Sequence, residues 1–343
     1  MRAVVIHAPK DLRIEECTAD EVGPGCVRVR IETGGICGSD LHYYNHGGFG
    51  TVRIKEPMIL GHEVAGIVEE VGPEVAGLAA GDRVAVSPSR PCGVCQYCRS
   101  GNPIHCLDMR FYGSAMRMPH VQGAFRDVLV ADAAQCHKVD DGLDAAAAAM
   151  AEPLAVALHG VRRAGDILGK RVLITGCGPI GVLCAMAARR AGALEIVATD
   201  IADAPLEVMR ETAADGAHNI GDDVQALRPY TADKGHFDIH FEASGNAAAL
   251  VGALDALKPG ATIVQVGLGG DATVPLNTIV AKELQLKGTF RFHEEFGHAV
   301  ELMGRGLIDV SALVSATLPV DRAAEAFELA GDRSQSMKVQ IAF

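Results

Sequence analysis

Gly176-Cys177-Gly178-Pro179-Ile180-Gly181 follows the apolar run Arg171-Val172-Leu173-Ile174-Thr175 and leads into Val182-Leu183-Cys184-Ala185-Met186-Ala187-Ala188. The order is strand, glycine turn, helix. A strand that ends in glycines lets the backbone approach a pyrophosphate, and the free amides at the start of the next helix meet its negative charge. At the end of a second apolar run, Ile196-Val197-Ala198-Thr199, stands Asp200. A carboxylate there bonds both ribose hydroxyls and repels a 2′-phosphate, so the pattern predicts NAD rather than NADP. Read for packing alone, the same glycines make an ordinary βα turn without a ligand.

Outward from this turn, apolar runs at 171–175, 194–199, 217–220, 237–241, 262–266 and 284–287 alternate with helical stretches. They predict a doubly wound parallel α/β sheet over residues 154–287. Before it, alternation such as Val27-Arg28-Val29-Arg30-Ile31-Glu32, punctuated by Gly23-Pro24-Gly25, Gly72-Pro73 and Gly81-Asp82, predicts a β-rich domain. Residues 1–153 are assigned to that domain, and 288–343 are expected to rejoin it with a helix over 294–304 and a last strand over 339–342. The alanine run at 145–149 reads as helix rather than linker.

A chain of 343 residues suggests two domains, and 49% hydrophobic with 22% charged residues describes a globular protein. Thirty-one basic against 43 acidic residues give a net charge of −12, which argues against nucleic acid or an anionic membrane as partner. No apolar span of about 20 residues is present and no signal peptide is read at the start. The expectation is a cytoplasmic protein whose thiols stay reduced, so its ten cysteines need a reason other than disulfides.

Four of them supply one. Cys92, Cys95 and Cys98 stand at CxxCxxC spacing and Cys106 follows on the loop's return. Four thiolates with no open position make a structural zinc site, and an iron–sulfur cluster is the other metal centre such spacing permits. A second set is dispersed: Cys37, Ser39 and His42 in one loop, His62 and Glu63 in another, and Glu152 before Pro153. Cysteine, histidine and carboxylate from separate segments compose a catalytic zinc site with one position left for substrate. Singly, each has an ordinary reading: Cys37 as a small buried residue, His62 as a hydrogen-bonded core histidine, Glu152 as the charge at a helix start.

Over essentially its whole length the chain resembles the zinc-containing medium-chain alcohol and polyol dehydrogenases. Cys37-Gly-Ser39-Asp-Leu-His42-Tyr43, Gly61-His62-Glu63 and Ala151-Glu152-Pro153 resemble the polyol branch, in which a glutamate replaces a ligand cysteine. The stretches 55–62, 108–116 and 288–292 resemble its aldonate-oxidising members. The resemblance implies a GroES-like catalytic domain joined to a Rossmann NAD-binding domain and two zinc ions per chain. It implies catalytic zinc on Cys37, His62 and either Glu63 or Glu152, structural zinc on Cys92, Cys95, Cys98 and Cys106, and NAD on Gly176, Gly178, Pro179, Ile180, Gly181, Asp200, Val266, Gly267 and Leu268. The expected reaction is oxidation of the C5 hydroxyl of L-idonate to 5-keto-D-gluconate. Ser39 would take the alcohol proton and His42 would pass it to solvent. Arg291 matches an arginine that contacts substrate in related enzymes, Tyr43 and Glu152 are expected beside it, and Arg110, Arg117, His120 and His293 are further candidates for the substrate's carboxylate. Sorbitol, xylitol and L-threonine are rival substrates. A non-catalytic, redox-sensing NAD-binding protein is the rival of another class. The expected partners are a small sugar acid or polyol and further copies of the chain, as a dimer or tetramer.

Overall fold

Val27, Val29 and Ile31 lie fully buried along the strand Cys26–Gly35, while Arg30 between them is exposed. Period-two burial of this kind makes one sheet face a core. The computed structural model describes residues 1–140 and 142–343. One unit comprises Met1–Glu152, Phe296–Asp332 and Lys338–Phe343; the other comprises Pro153–Glu295 and Arg333–Met337.

The first unit is built on a seven-stranded sheet. Its path runs through Cys136–Lys138, Arg83–Val86, Glu63–Val71, Cys26–Gly35, Lys338–Ala342 and Val314–Pro319, and Val128–Asp132 also pairs with Cys26–Gly35. The register sets Gly35 opposite Glu63 on one side and Gln340 on the other. Three segments far apart in the chain therefore meet at one point of the sheet. The helix Gly38–His46 leaves the end of the central strand there, and the alanine run forms the helix Ala145–Ala149.

The second unit is a six-stranded parallel sheet. Its strands are β1 (Arg171–Thr175), β2 (Glu195–Asp200), β3 (Gly216–Asn219), β4 (Phe237–Glu242), β5 (Leu257–Gln265) and β6 (Gln285–Gly288), in the spatial order β3-β2-β1-β4-β5-β6. The order reverses between β1 and β4, the crevice where open α/β sheets bind ligands. Val172, Leu173 and Ile174 of β1 are fully buried, each burial favouring the fold by about 1.5–3 kcal/mol. After β1 comes helix α1 (Pro179–Arg190), which buries Val182, Leu183, Cys184, Ala185, Ala187 and Ala188 against the sheet.

The alternating βα pattern read from the sequence is this fold. β5 begins earlier than the apolar run suggested, because Leu257 pairs with Phe237 before an irregular register carries the exposed Pro259 and Gly260 past. Residues 288–295, grouped with the first domain from sequence, go with the second unit. There Gly288 pairs with Gln265 and the Thr289 N–H donates to the Gln265 carbonyl at 3.2 Å.

The glycine turn is closed by sterics. A Cβ on Gly181 would lie 1.8 Å from the Gly176 carbonyl oxygen, and Gly176 itself has φ 89°. Gly181→Ala should therefore raise the Kd for NADH, measured by fluorescence titration, about tenfold or more with zinc content unchanged. A Kd within twofold of the parent would show that the turn relaxes at no cost.

Candidate metal and cofactor sites

Cys37 lies two residues past the strand Cys26–Gly35 and caps the helix Gly38–His46, whose Asp40 carboxylate accepts from the Cys37 N–H at 3.0 Å. Asp40 also accepts from Gly61 N–H at 3.3 Å and stands 3.7 Å from His62 Nδ1. One buried carboxylate thus ties the two loops together. Glu63 opens the next strand, and its side chain crosses directly over Gly35, where a Cβ would sit 2.2 Å from Glu63 Oε2. Across that gap Lys338 Nζ donates to both Glu63 oxygens at 2.9 and 2.8 Å and to the Ile36 carbonyl at 3.1 Å.

The result is a cluster in which one donor atom each of Cys37, His62 and Glu63 lies within 4.8 Å of the others. Glu152, at the start of the helix Ala151–Ala164, is buried beside it but is not one of these three. Burial pushes the Glu152 carboxyl up to about 8, with His62 pulling it down and Glu63 adding to the rise. Burial, then the negative charge of Glu63, pushes the Cys37 thiol up to about 12. His62 Nδ1 is buried without a hydrogen-bond partner. A thiol, an imidazole and carboxylates meeting at one point, with burial disfavouring the charged forms of Cys37 and Glu152, fit a divalent cation, and sulfur, nitrogen and oxygen donors together suit zinc.

The four remaining thiols meet on a loop carrying two short helical turns, Gln96–Arg99 and Pro103–His105. Their sulfurs approach one another at 3.6 Å for Cys95 and Cys98 and 3.9 Å for Cys95 and Cys106. Backbone amides aim at them: Cys92 N–H and Asp108 N–H at Cys106 Sγ, and Cys95 N–H at Cys92 Sγ. Amides of Cys98 and Leu107 hold the Cys95 thiol down to about 6. Amides also lower the Cys92 thiol, whereas burial and its sulfur neighbours push Cys98 up to about 12, so four charged sulfurs on this loop call for a cation among them, as a tetrahedral zinc site provides.

In the second unit Gly178 caps α1, Pro179 occupies its first turn, and the Ile180 and Gly181 amides follow. Asp200 Oδ2 accepts from Cys177 N–H at 2.6 Å, and Oδ1 accepts from Ile201 N–H and Ala202 N–H at 2.7 and 3.1 Å. The carboxylate is fixed at the tip of β2 against the glycine turn. Val266 and Gly267 donate to the Glu242 carbonyl, each at 2.8 Å, and Leu268 is exposed. The dinucleotide residues proposed from sequence therefore lie on turns at the carboxyl ends of β1, β2 and β5.

Ser39 is half-buried and His42 exposed one turn later on the same helix. Tyr43 is buried, its hydroxyl accepting from Ala115 N–H at 3.0 Å. Arg291 belongs to the second unit, has φ 54° and lies 4.9 Å over the Phe290 ring. Among the other candidates, Arg117 pairs with Asp108, and His120 bonds the Arg117 carbonyl and the Lys55 N–H. Those two are held by structural contacts. Asp40 and Lys338 were not singled out in the sequence. Lys338 is buried with Val339, Gln340 and Ile341 along its strand, and nothing local in the sequence marks it.

Residues 23–141 match the model of the alcohol dehydrogenase GroES-like domain and residues 179–305 that of the zinc-binding dehydrogenases. The chain belongs to the zinc-dependent medium-chain dehydrogenases and is an oxidoreductase using zinc and a nicotinamide dinucleotide. It is 42% identical to the L-idonate 5-dehydrogenase (NAD(P)(+)) of Escherichia coli K12, over all of this chain and 98% of that protein. The crystal structure of the L-idonate 5-dehydrogenase from E. coli K-12 superposes with a TM-score of 0.96 over 100% of this chain and 98% of the other. Human sorbitol dehydrogenase is 34% identical over 95% of this chain and 91% of its own. Among the described residues no helix is long and apolar enough to cross a membrane.

Elemental analysis should find about two zinc ions per chain. His62→Ala should retain about one with little loss of thermal stability, whereas Cys98→Ser should lose the other and unfold at a lower temperature. Full retention of both ions by His62→Ala would remove the cluster at Cys37 as a metal site.

Proposed function

We propose that the chain oxidises the C5 hydroxyl of L-idonate, giving 5-keto-D-gluconate, with NAD as acceptor. The full-length likeness to the E. coli L-idonate 5-dehydrogenase, at 42% against 34% for human sorbitol dehydrogenase, carries the choice of substrate. When bound, zinc supplies Lewis acidity toward the alcohol oxygen and the nicotinamide accepts hydride.

The chain's own residues do the rest. Cys37, His62 and Glu63 hold the metal, and Glu152 stands by as the alternative carboxylate. Asp40 ties together the loops that carry Cys37 and His62 by accepting from the Cys37 and Gly61 N–H groups. The Ser39 hydroxyl accepts the alcohol proton and His42, exposed at the next turn of the helix, releases it to water. Arg291 takes the substrate carboxylate; a non-glycine residue held at positive φ supports a functional reason for its placement. The Asp200 carboxylate, fixed by three amides, disfavours a 2′-phosphate and so favours NAD over NADP.

The protein works in the cytoplasm as a homo-oligomer. β6 is one of the two edge strands of the second sheet and carries Leu286 exposed, which suits it to a contact between copies. A polyol such as sorbitol is the second reading, favoured by the human relative.

NADH formation should be compared on L-idonate, D-gluconate, sorbitol, xylitol and L-threonine, with 5-keto-D-gluconate reduction as the reverse assay. L-Idonate should lead by about 100-fold in kcat/KM, roughly 2.7 kcal/mol of transition-state discrimination. Equal efficiency on sorbitol or xylitol would sink the aldonate reading while leaving the chemistry intact. Ser39→Ala should lower kcat by about 100-fold with little change in the Kd for NADH. Turnover within twofold of the parent would remove Ser39 from the proton path.

A further inference from the structure

Glu242 closes β4 at the point where the strand order reverses, and its side chain is fully buried. A carboxylate in that position costs several kcal/mol of lost hydration unless its oxygens are fully engaged, and here they are. Oε1 accepts from the Ser244 N–H at 2.9 Å and from the Ser244 hydroxyl. Oε2 accepts from the Gly245 N–H at 3.1 Å and from the Gln265 side-chain amide at 2.5 Å. Gln265 also donates from the same nitrogen to the Gly267 carbonyl at 2.9 Å. The Glu242 main-chain carbonyl meanwhile accepts from Val266 and Gly267.

Three turns converge on this one side chain. The turn after β4 packs against the turn after β5 so closely that a Cβ on Gly267 would lie 2.2 Å from Gly245 N and 2.9 Å from Glu242 Oε2. It packs equally closely against the glycine turn after β1, where a Cβ on Gly176 would lie 2.6 Å from Ser244 N. Ala243 N–H donates to the Thr175 carbonyl at 2.8 Å, joining β4 to β1 immediately before that turn. The Gly176 turn and the Val266–Leu268 segment both belong to the dinucleotide site, and the loop between them is shaped by the carboxylate. A leucine in the same volume would leave the Ser244 and Gly245 amides without partners and free the Gln265 side chain.

We propose that Glu242 is a positioning residue for cofactor binding: it fixes the turns after β1, β4 and β5 as one preorganised rim for the dinucleotide. The proposal rests on the reading that these turns bind NAD. Its consequence is a cost in cofactor affinity, with the chemistry at the metal cluster untouched. Glu242→Gln keeps the volume but turns one acceptor into a donor facing the Gly245 N–H and Gln265 amide donors, so the rim must rearrange.

The test uses the full-length, zinc-loaded protein at a temperature well below its unfolding. Titration of the parent with NADH checks the cofactor reading by itself; an absence of binding there would overturn both. For Glu242→Gln the Kd for NADH should rise about tenfold or more, and kcat at saturating NAD should change less than about threefold. A purely structural residue would lower the unfolding temperature and leave the Kd of the folded protein within twofold, which would overturn the proposal. If Glu242→Gln does not fold, Ser244→Ala and Gln265→Met each remove one arm and keep the carboxylate. Each should then raise the Kd for NADH about two- to fivefold. Unchanged affinity in both would equally overturn it.

Discussion

The first unit depends on an ion pair that has no room beside it. Glu63 and Lys338 come from strands on either side of Cys26–Gly35, and their side chains meet over the one residue, Gly35, that offers no Cβ to obstruct them. Breaking such a buried pair by removing one member leaves an uncompensated charge, which costs about 3–5 kcal/mol. The geometry also fixes function, because the same carboxylate that answers Lys338 faces Cys37 and His62. Sheet register, glycine identity and ligand placement are therefore one constraint. A slip of one residue in the strand Glu63–Val71 would turn Glu63 to the other face, and one in Lys338–Ala342 would do the same to Lys338, either of which separates the pair.

The second unit shows the same economy in neutral form. Glycines at 176 and 181 let a strand, a turn and a helix approach to distances no side chain tolerates, and Asp200 then bonds the Cys177 amide inside that turn. Asp200, the proposed ribose-binding residue, is thus also part of the scaffold that shapes the glycine turn. Its three amide partners hold it in place before any ligand arrives. Preorganisation of this kind reduces the ordering that binding must impose.

What could be read in the sequence was what is local in the chain. Strand, glycine turn, helix and terminal acid occur within about thirty residues in the usual βαβ unit, and the four cysteines lie on one loop, so spacing alone carried both. The cluster at Cys37 is assembled from separate segments and gained meaning only through its resemblance to a family. Lys338 lay beyond reach because its partner is set by sheet register, which a single sequence does not state. Glu242 was hidden for a similar reason: at the end of Phe237-Asp238-Ile239-His240-Phe241 it looks like an ordinary polar strand terminus. Only folding reveals that Ser244, Gly245 and Gln265 all turn toward it. The strand β5 starts before the apolar run at 262–266, because Leu257 already pairs with Phe237 ahead of the exposed Pro259 and Gly260.

The two metal clusters solve the problem of holding negative charge in opposite ways. The four-thiol loop sits near solvent and stabilises thiolates with its own amides, so the turn is already shaped for the ion. The Cys37 cluster has little such help. Asp40, Glu63 and Glu152 are buried and Cys37 is half-buried around Lys338, which bonds Glu63, and burial disfavours ionisation of Cys37, Asp40 and Glu152. A divalent ion would reverse that balance at once, drawing the thiol and the carboxylates into their charged forms. The surplus of acidic groups that makes the cluster poor as core packing makes it suited to hold a divalent ion, which would supply the Lewis acidity, while Lys338 steadies Glu63 by donating to both its oxygens without replacing the metal.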